Sequence, residues 1–427
     1  MERFLKSYIQ QYLLLAALLF GVVMDAKSMD YRGEVSLEGR IFEGDSNFNT
    51  DDHNLSVFAR FETSIKRSPW RLKLRASARV DAKDEQRSLF NPEEIWAGFR
   101  KNGWDIRFGT QMLDWTATEA FHPADTFNSR IWDSNIENAD KIGEVALSVA
   151  TNIERGELSF YYMPRYEEPI FPGESSRLNP FGGGVAVSDA VWIDRNGHVS
   201  GSAGNQWGMR ITQSISGADF GVHYLSHQDR YHPVIIQTMQ NEYVPVYLPV
   251  DEVGLTYQQV FGGVIAKLEY SKKHFDNTSS LVDIPKVEGA RALSQLNHGQ
   301  LALGLEYGWS LKNGSEMTLY LEGQRILGVD EAEAVMLSQF QNDIMFGYRY
   351  ALNDIKGREL FLSMIVDREI VQERLYNLRF QQRISDTVTS ICGLRFIQAS
   401  SDSGSRDGGL RNLDGSNQVF IMLIRYF

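Results

Sequence analysis

Beyond its first thirty residues the chain alternates apolar and polar positions with period two, the spacing at which neighbouring side chains of a strand point to opposite faces. The clearest run is 300–311, where Leu301, Leu303, Leu305, Tyr307, Trp309 and Leu311 alternate with Gln300, Ala302, Gly304, Glu306, Gly308 and Ser310. One face is wholly apolar and the other is small or polar. Leu55, Val57, Ala59, Phe61 and Ile65 stand in the same way against Ser56, Phe58, Arg60, Glu62 and Ser64, and 70–80 repeats the pattern. A soluble sandwich would bury the apolar face in a core. Runs of about 9–12 residues with a polar second face match tilted strands that cross hydrocarbon, with lipid outside and water inside.

The pattern predicts eighteen strands, at 33–43, 54–66, 70–81, 92–101, 104–111, 142–151, 157–163, 206–216, 218–228, 251–261, 263–273, 299–311, 315–324, 341–351, 358–367, 372–383, 387–398 and 417–427. Connection lengths test the count independently. After even-numbered strands they are turns: Arg67-Ser68-Pro69, Asn102-Gly103, Glu154-Arg155-Gly156, Ser216-Gly217, Gly262, Lys312-Asn313-Gly314 and Ser385-Asp386. After odd-numbered strands they are mostly long: 44–53, 112–141, 164–205, 229–250, 274–298, 325–340 and 399–416. That rhythm belongs to a barrel with short periplasmic turns and long extracellular loops. The fold class is therefore all-β, a single antiparallel transmembrane β-barrel of about 18 strands. The range is 16–20, because 157–163 is short and 234–248 can form an extra hairpin. The loop 164–205, with Pro164, Pro169, Pro172, Pro180 and Gly182–Gly184, reads as irregular.

Arg3 and Lys6 precede the apolar run 12–23, and Ala26-Lys27-Ser28 follows as a cleavage pattern, so residues 1–28 read as a secretory signal and 29–427 as the barrel. The run is too short for a spanning helix. Removing the signal, with its three cations and two acids, takes the formal charge from −12 to −13. The chain lacks a long basic run, which excludes nucleic acid as the expected partner. Cys392, the only cysteine, alternates with Val388, Ser390 and Leu394 and reads as a small strand residue.

The stretch 112–141 is a long interruption between two otherwise closely spaced strands, and such a connection is usually functional. It holds Asp114, Glu119, Asp125, Asp133, Glu137 and Asp140 against Arg130 and Lys141. Assigning apolar faces to lipid turns Arg71, Lys73, Arg75 and Arg79 inward, together with Arg40, Arg60 and Arg107. Arg379, Arg383 and Arg395 join them from the last strands when the barrel closes. An 18-stranded barrel is wide enough for an aqueous channel, so an inward-folded loop is needed to narrow it. The expectation is a basic ladder facing an acidic loop, with Asp114, Glu119, Asp125 and Asp133 as the acidic side, and a gap between them in which small solutes pass.

Two resemblances support this. The terminal strand Val419–Phe427, closing on an aromatic, resembles the assembly signal of bacterial outer-membrane proteins, which implies the barrel-assembly machinery as a partner and Arg425 as a departure. Gly109-Thr110-Gln111, Trp115, Pro123-Ala124-Asp125 and Asn128 resemble the G-x-Q, W, P-x-D-x-x-N segment of uncharacterised proteobacterial barrels related to porins. Here Trp115-Thr116 stands where those proteins commonly have Trp-Gly. The resemblance implies an outer-membrane channel for passive diffusion of small hydrophilic, charged solutes, in contact with lipid and lipopolysaccharide. Its loop is third in order, the position at which general porins are constricted. The apolar outer face serves lipid and subunit contacts alike, so a homo-oligomer is compatible with it.

The alternative is a non-conducting barrel whose long external loops serve adhesion or protein interaction. Catalysis is a further alternative: His223, His227 and His232 lie near Ser226, and His223 and His227 share a strand face at a spacing that suits a metal. No third ligand or acid is set by spacing. Neither a catalytic residue, a metal nor a cofactor is assigned, and Gly182–Gly184 lacks the Lys and strand-to-helix context of a phosphate loop.

Overall fold

The computed structural model describes residues 30–427 except 44–49, 134, 183, 231–233, 238–241, 276–279, 284–289, 294–295 and 400–408. The expected signal, 1–28, lies outside the described residues, as does His232. Eighteen strands form one sheet. They are β1 (Asp30–Phe42), β2 (His53–Arg67), β3 (Trp70–Asp81), β4 (Leu89–Lys101), β5 (Trp104–Gln111) and β6 (Glu144–Ile153). Next come β7 (Gly156–Met163), β8 (Gln206–Ile215), β9 (Ala218–Gln228), β10 (Pro249–Phe261), β11 (Val264–Phe275) and β12 (His298–Ser310). The last are β13 (Glu316–Leu327), β14 (Asp343–Ala351), β15 (Glu359–Asp367), β16 (Arg374–Ser385), β17 (Val388–Gln398) and β18 (Gln418–Tyr426). Each pairs antiparallel with its sequence neighbours, and β18 closes on β1 from Glu34↔Tyr426 to Phe42↔Gln418. All eighteen expected strands are present, with ends shifted by a few residues.

Register is set at the tight turns. Asn102 (φ 53°) with Gly103 (φ 82°), and Ser216 (φ 52°) with Gly217 (φ 81°), are two-residue loops with positive φ at both positions. Such turns match the right-handed twist of the flanking strands. With register fixed, side-chain alternation assigns the two faces. The outer face is a belt of exposed apolar side chains, including Leu37, Val57, Trp70, Val80, Phe108, Leu303, Leu305, Phe346, Phe396 and Val419. A patch of that extent is unfavourable in water and suits hydrocarbon. Cys392 is exposed, and its outer-face neighbours Leu394 and Phe396 lie along the same strand.

The chain end finishes the closure. Gly33 N–H donates to the Phe427 carbonyl and Phe427 N–H to the Gly33 carbonyl, both at 2.9 Å. The Phe427 ring covers Gly33 so closely that a Cβ there would overlap it. Gly33 shares the outward face of Tyr31 and Val35, so Phe427 points outward.

The long loops carry their own packing. The expected hairpin within 234–248 exists as Val234–Gln237 paired with Glu242–Tyr247. It belongs to a separate small sheet and adds nothing to the barrel count. The loop 164–205, expected to be irregular, supplies three short strands, Ala186–Val187, Val191–Ile193 and Val199–Ser200, to that sheet. Val191, Ile193, Val244, Val246 and Leu248 pack against Val250 of β10 and Phe275 of β11. A second apolar cluster joins Phe121, Ile136, Phe340, Leu410 and Leu413 from loops to Met345, Ile365, Leu375 and Ile397 from β14–β17. The loop end of the lumen is thus partly filled with apolar packing, whereas the wall from β1 to β5 is lined by charge.

Candidate functional site: an inward loop between a charged wall and a row of carboxylates

The segment 112–141 leaves β5 where Gly109 has φ 130°, and a Cβ there would collide with the Ile95 carbonyl and the Trp96 backbone. Only glycine passes at that approach. Asn128 then clasps both ends of the loop. Its Nδ2 donates to the carbonyls of Gln111 (3.0 Å) and Ile142 (2.8 Å), and its Oδ1 accepts from Leu113 N–H at 2.8 Å. Gln111 Nε2 donates to the Ala146 carbonyl (2.9 Å) and its Oε1 accepts from Ser148 (2.8 Å). Asp125 accepts from Trp115 N–H at 3.1 Å and binds Arg130 and Lys141, each at 2.7 Å. Burial raises the Asp125 carboxyl, but Arg130 and Lys141 outweigh it and hold the group below its ordinary range. Trp115 is buried with Phe127, Tyr161 and Leu225, and its ring lies tilted against that of His223 at 4.6 Å between centroids.

From this clasp the loop spans to the far wall, where strand carboxylates catch its backbone. Glu269 of β11 accepts from Ala117 N–H (2.6 Å), Thr118 N–H (3.0 Å), Thr118 Oγ1 (2.8 Å) and Ala124 N–H (3.2 Å). Glu322 of β13 accepts from Glu119 N–H (2.6 Å) and Ala120 N–H (2.9 Å). Glu252 of β10 accepts from Thr126 Oγ1 at 2.6 Å. Among the described residues the loop pairs with itself only at Arg130–Ile131 and Asp140–Lys141, so the part before them, without helix or sheet, must find other partners for its buried amides. Here two carboxylates take six donors in the 117–124 turn, five of them amides.

The distal part of the loop meets the charged wall. Asp133 lies 3.1 Å from Arg79, 3.4 Å from Arg87 and 4.0 Å from Arg40. Burial raises its carboxyl, yet Arg40, Arg87 and Arg79 together hold it far below the usual carboxylate range. Glu137 pairs with Arg395 and accepts from Asn377 Nδ2 at 2.9 Å. Loop and wall therefore touch at the tip. Between them a cleft of about 80 Å³ remains, lined by Arg60, Arg75, Arg79, Glu93, Asp140 and Lys141 among others.

The ladder residues lie on the polar faces of their strands, and each of those along β1–β5 has a carboxylate from the wall or the loop beside it. Arg40 binds Glu38 (2.7 Å), Arg60 binds Glu34 (2.9 Å) and Glu93 (3.0 Å), and Arg75 binds Glu93 (2.5 Å). Lys73 pairs with Glu62, and Arg71 and Arg107 share Asp105. Arg379 lies over Phe361 and 3.8 Å from Glu359, while Arg383, paired with Thr389, stands near the turn end of β16, away from the loop. The wall is an interleaved network of both signs.

The four acids expected to line one side separate into different roles. Asp133 reaches the ladder, and Asp125 is an internal tie. Asp114 is exposed beside Lys141 at 3.1 Å, and Glu119 reaches Lys267 of β11 at 3.0 Å. Residues that sequence reasoning missed are Arg87, buried at the centre of the Asp133 cluster, and Glu252, Glu269 and Glu322. The three glutamates occupy polar-face positions of their strands, so period two placed them in the lumen. Their loop partners are more than a hundred residues away in sequence. His223 and His227 do share the inner face, 3.4 Å and 3.6 Å from Glu252. Ser226 falls on the opposite face, with Arg195 donating to its Oγ at 2.6 Å, so the serine and histidines do not meet. Among the described residues no cluster of metal-ligating side chains is present.

No protein-family model matches the chain, and no curated protein matches it in sequence. Solved structures do match in fold. Acinetobacter baumannii OccAB2 aligns with TM-score 0.50 at 10% identity over 93% of this chain and 98% of its own. Pseudomonas aeruginosa OccK5 (OpdH) gives the same TM-score, identity and coverages. Acinetobacter baumannii OccAB1 aligns with TM-score 0.50 at 10% identity over 93% of this chain and 96% of its own. At this identity the likeness is one of fold: the chain has the closed barrel architecture of these bacterial proteins.

Proposed function

We propose that the chain is an outer-membrane channel through which small hydrophilic, charged solutes diffuse passively. The observation that carries this reading is a charge-lined lumen, inside an apolar outer belt, crossed by a loop that strand carboxylates hold in place. A barrel with that exterior partitions into lipid, and its long loops then face lipopolysaccharide. The C-terminal strand ending in Phe427 is the segment offered to the barrel-assembly machinery. Within the lumen, Arg60, Arg75 and Arg79 on the wall and Asp140 on the loop make a transverse field that orients dipolar and charged solutes at the narrowing. The role requires no catalytic step.

The test is single-channel current from the purified protein in a planar bilayer under a salt gradient. Discrete steps with a nonzero reversal potential support the channel. Absence of steps from protein shown by heat-shifted gel mobility to be folded removes it.

A second reading, a plugged barrel presenting its loops to a protein partner, draws on the apolar clusters that fill the loop end of the lumen. It becomes the better account if folded protein carries no current.

A further inference from the structure

The outer face of the barrel carries a charged exception at the loop end of β11–β13. On β1, β3, β4 and β18 the outward side chains near that end are Ile41, Val80, Phe90 and Val419, all exposed and apolar. On β11 and β13 they are Lys272 and Arg325, both exposed. Their strand neighbours fix the facing: Ser271 and Lys273, like Gln324 and Ile326, are buried on the inner side. Lys272 pairs with Gly299 of β12, and Arg325 pairs with Leu301, two residues along the same strand. Gly299 puts no side chain between the two cations, and Tyr270 lies beside it, its hydroxyl 3.3 Å from where a Cβ would stand. The Lys272 ammonium leans across β12 to within 4.0 Å of a Cβ built on Gly328, just past the end of β13. Gly328 is three residues from Arg325, about 10 Å along a strand.

Among the described residues neither cation has an acid within 4.0 Å. Asp251, outward on β10, is held by Arg195 and the Tyr224 hydroxyl. On the β14 side Glu369 accepts from Asn342 Nδ2. Toward the turn end, β12 and β13 present Leu303, Leu305, Leu319 and Leu321, all exposed on the outer face. Two unpaired cations above a leucine panel match an amphiphile with phosphates at its head and acyl chains below. Cations at a membrane boundary draw anionic headgroups, and a guanidinium takes a phosphate through two parallel hydrogen bonds. Long loops mark the external side, so the lipid at this end is that of the outer leaflet.

We propose that Lys272 and Arg325, flanking Gly299 above the leucine panel, form a site on the outer wall for the phosphorylated head of a lipid A molecule, the membrane-embedded part of lipopolysaccharide. The spacing of the two cations suits a headgroup with two phosphates, and the leucines take its acyl chains. The site rests on the outer-membrane placement of the barrel and not on conduction through its lumen.

The test is native mass spectrometry of the folded full-length protein in detergent, titrated with bisphosphoryl lipid A and, in parallel, with phosphatidylglycerol. The protein retains lipid A in preference to phosphatidylglycerol. Lys272→Gln and Arg325→Gln together weaken lipid A binding at least about tenfold, a loss that two interfacial cations account for. Arg425→Gln removes an outward cation from the turn end of the belt, where Arg425 pairs with the exposed Val35, and leaves binding unchanged. Heat-shifted gel mobility verifies that the variants are folded. Unchanged lipid A binding in the double variant, or an equal loss in Arg425→Gln, overturns the site. Phosphatidylglycerol held as tightly, with the same dependence on Lys272 and Arg325, gives the site to a glycerophospholipid and overturns the assignment to lipid A. Bilayer recordings separate the two ideas: current without cation-dependent lipid A binding rejects the site alone, and such binding without current rejects the channel alone.

Discussion

Glu269→Gln isolates the bond set that holds the loop across the lumen. The carboxylate is fully buried, with Oε1 accepting three donors and Oε2 one. Glutamine keeps the shape but has one acceptor oxygen. If that oxygen takes the place of Oε1, three bonds fall from charge-assisted to neutral strength, about 1 kcal/mol each, and Ala124 N–H meets an amide donor, at about 1–3 kcal/mol for an orphaned group. Relief of the buried charge returns part of this. The net loss of loop docking is about 2–4 kcal/mol, which raises the open population by about thirty- to a thousandfold. Amide hydrogen exchange followed by mass spectrometry reads it directly. Peptides covering 115–126 exchange faster by that factor, while strand peptides of β11 and β13 keep their protection, because the barrel ladder is untouched. Exchange in 115–126 within about threefold of the unaltered protein refutes the assignment of Glu269 as the anchor.

Replacing Arg71, Lys73, Arg75 and Arg79 together by Gln leaves Glu62, Glu93, Glu94, Asp105 and Asp133 short of partners, so selectivity moves toward cations while the barrel still assembles. An unchanged reversal potential takes the ladder out of the account. Asp125 and Asp133 both have carboxyls held below the ordinary value of 3.8, so the stability they contribute is full above that pH and is lost as pH falls through their lowered values. Loop protection in hydrogen exchange is therefore flat from about pH 7 to 5 on this account and declines in acid below about pH 4; a decline already complete at pH 5 contradicts it. Trp115→Ala empties the packing under the clasp and costs about 3–5 kcal/mol, read as a lower unfolding temperature in detergent. A shift of less than about 1 °C would place Trp115 outside the core.

Strand existence, order and facing were all legible in the chain, since each rests on local physics. Alternation at 300–311 or 70–80 is written residue by residue, and turns such as Asn102-Gly103 state where pairs begin. Closure in a membrane then followed from an apolar face too extensive for water. The inward placement of Arg40, Arg60, Arg71, Lys73, Arg75, Arg79, Arg107, Arg379, Arg383 and Arg395 came from the same period. The hairpin in 234–248 was legible as well, but its membership of a separate sheet was not, because its partner strands come from the loop 164–205.

Pairing across the lumen was decided only by the tertiary structure. Attention to the cations alone made the wall look basic, whereas Glu34, Glu38, Glu62, Glu93 and Asp105 compensate it from adjacent positions. Of the loop acids, composition could not say that Asp125 would fold back on Arg130 and Lys141 while Asp133 reached Arg79 and Arg87. Nor could it say that Glu269 would meet amides about 150 residues earlier. Period two tells a side chain which face it occupies, through the geometry of its own strand. What it meets there depends on barrel diameter, strand stagger and the path of a loop with no repeat of its own, and these are set by the whole closed sheet at once.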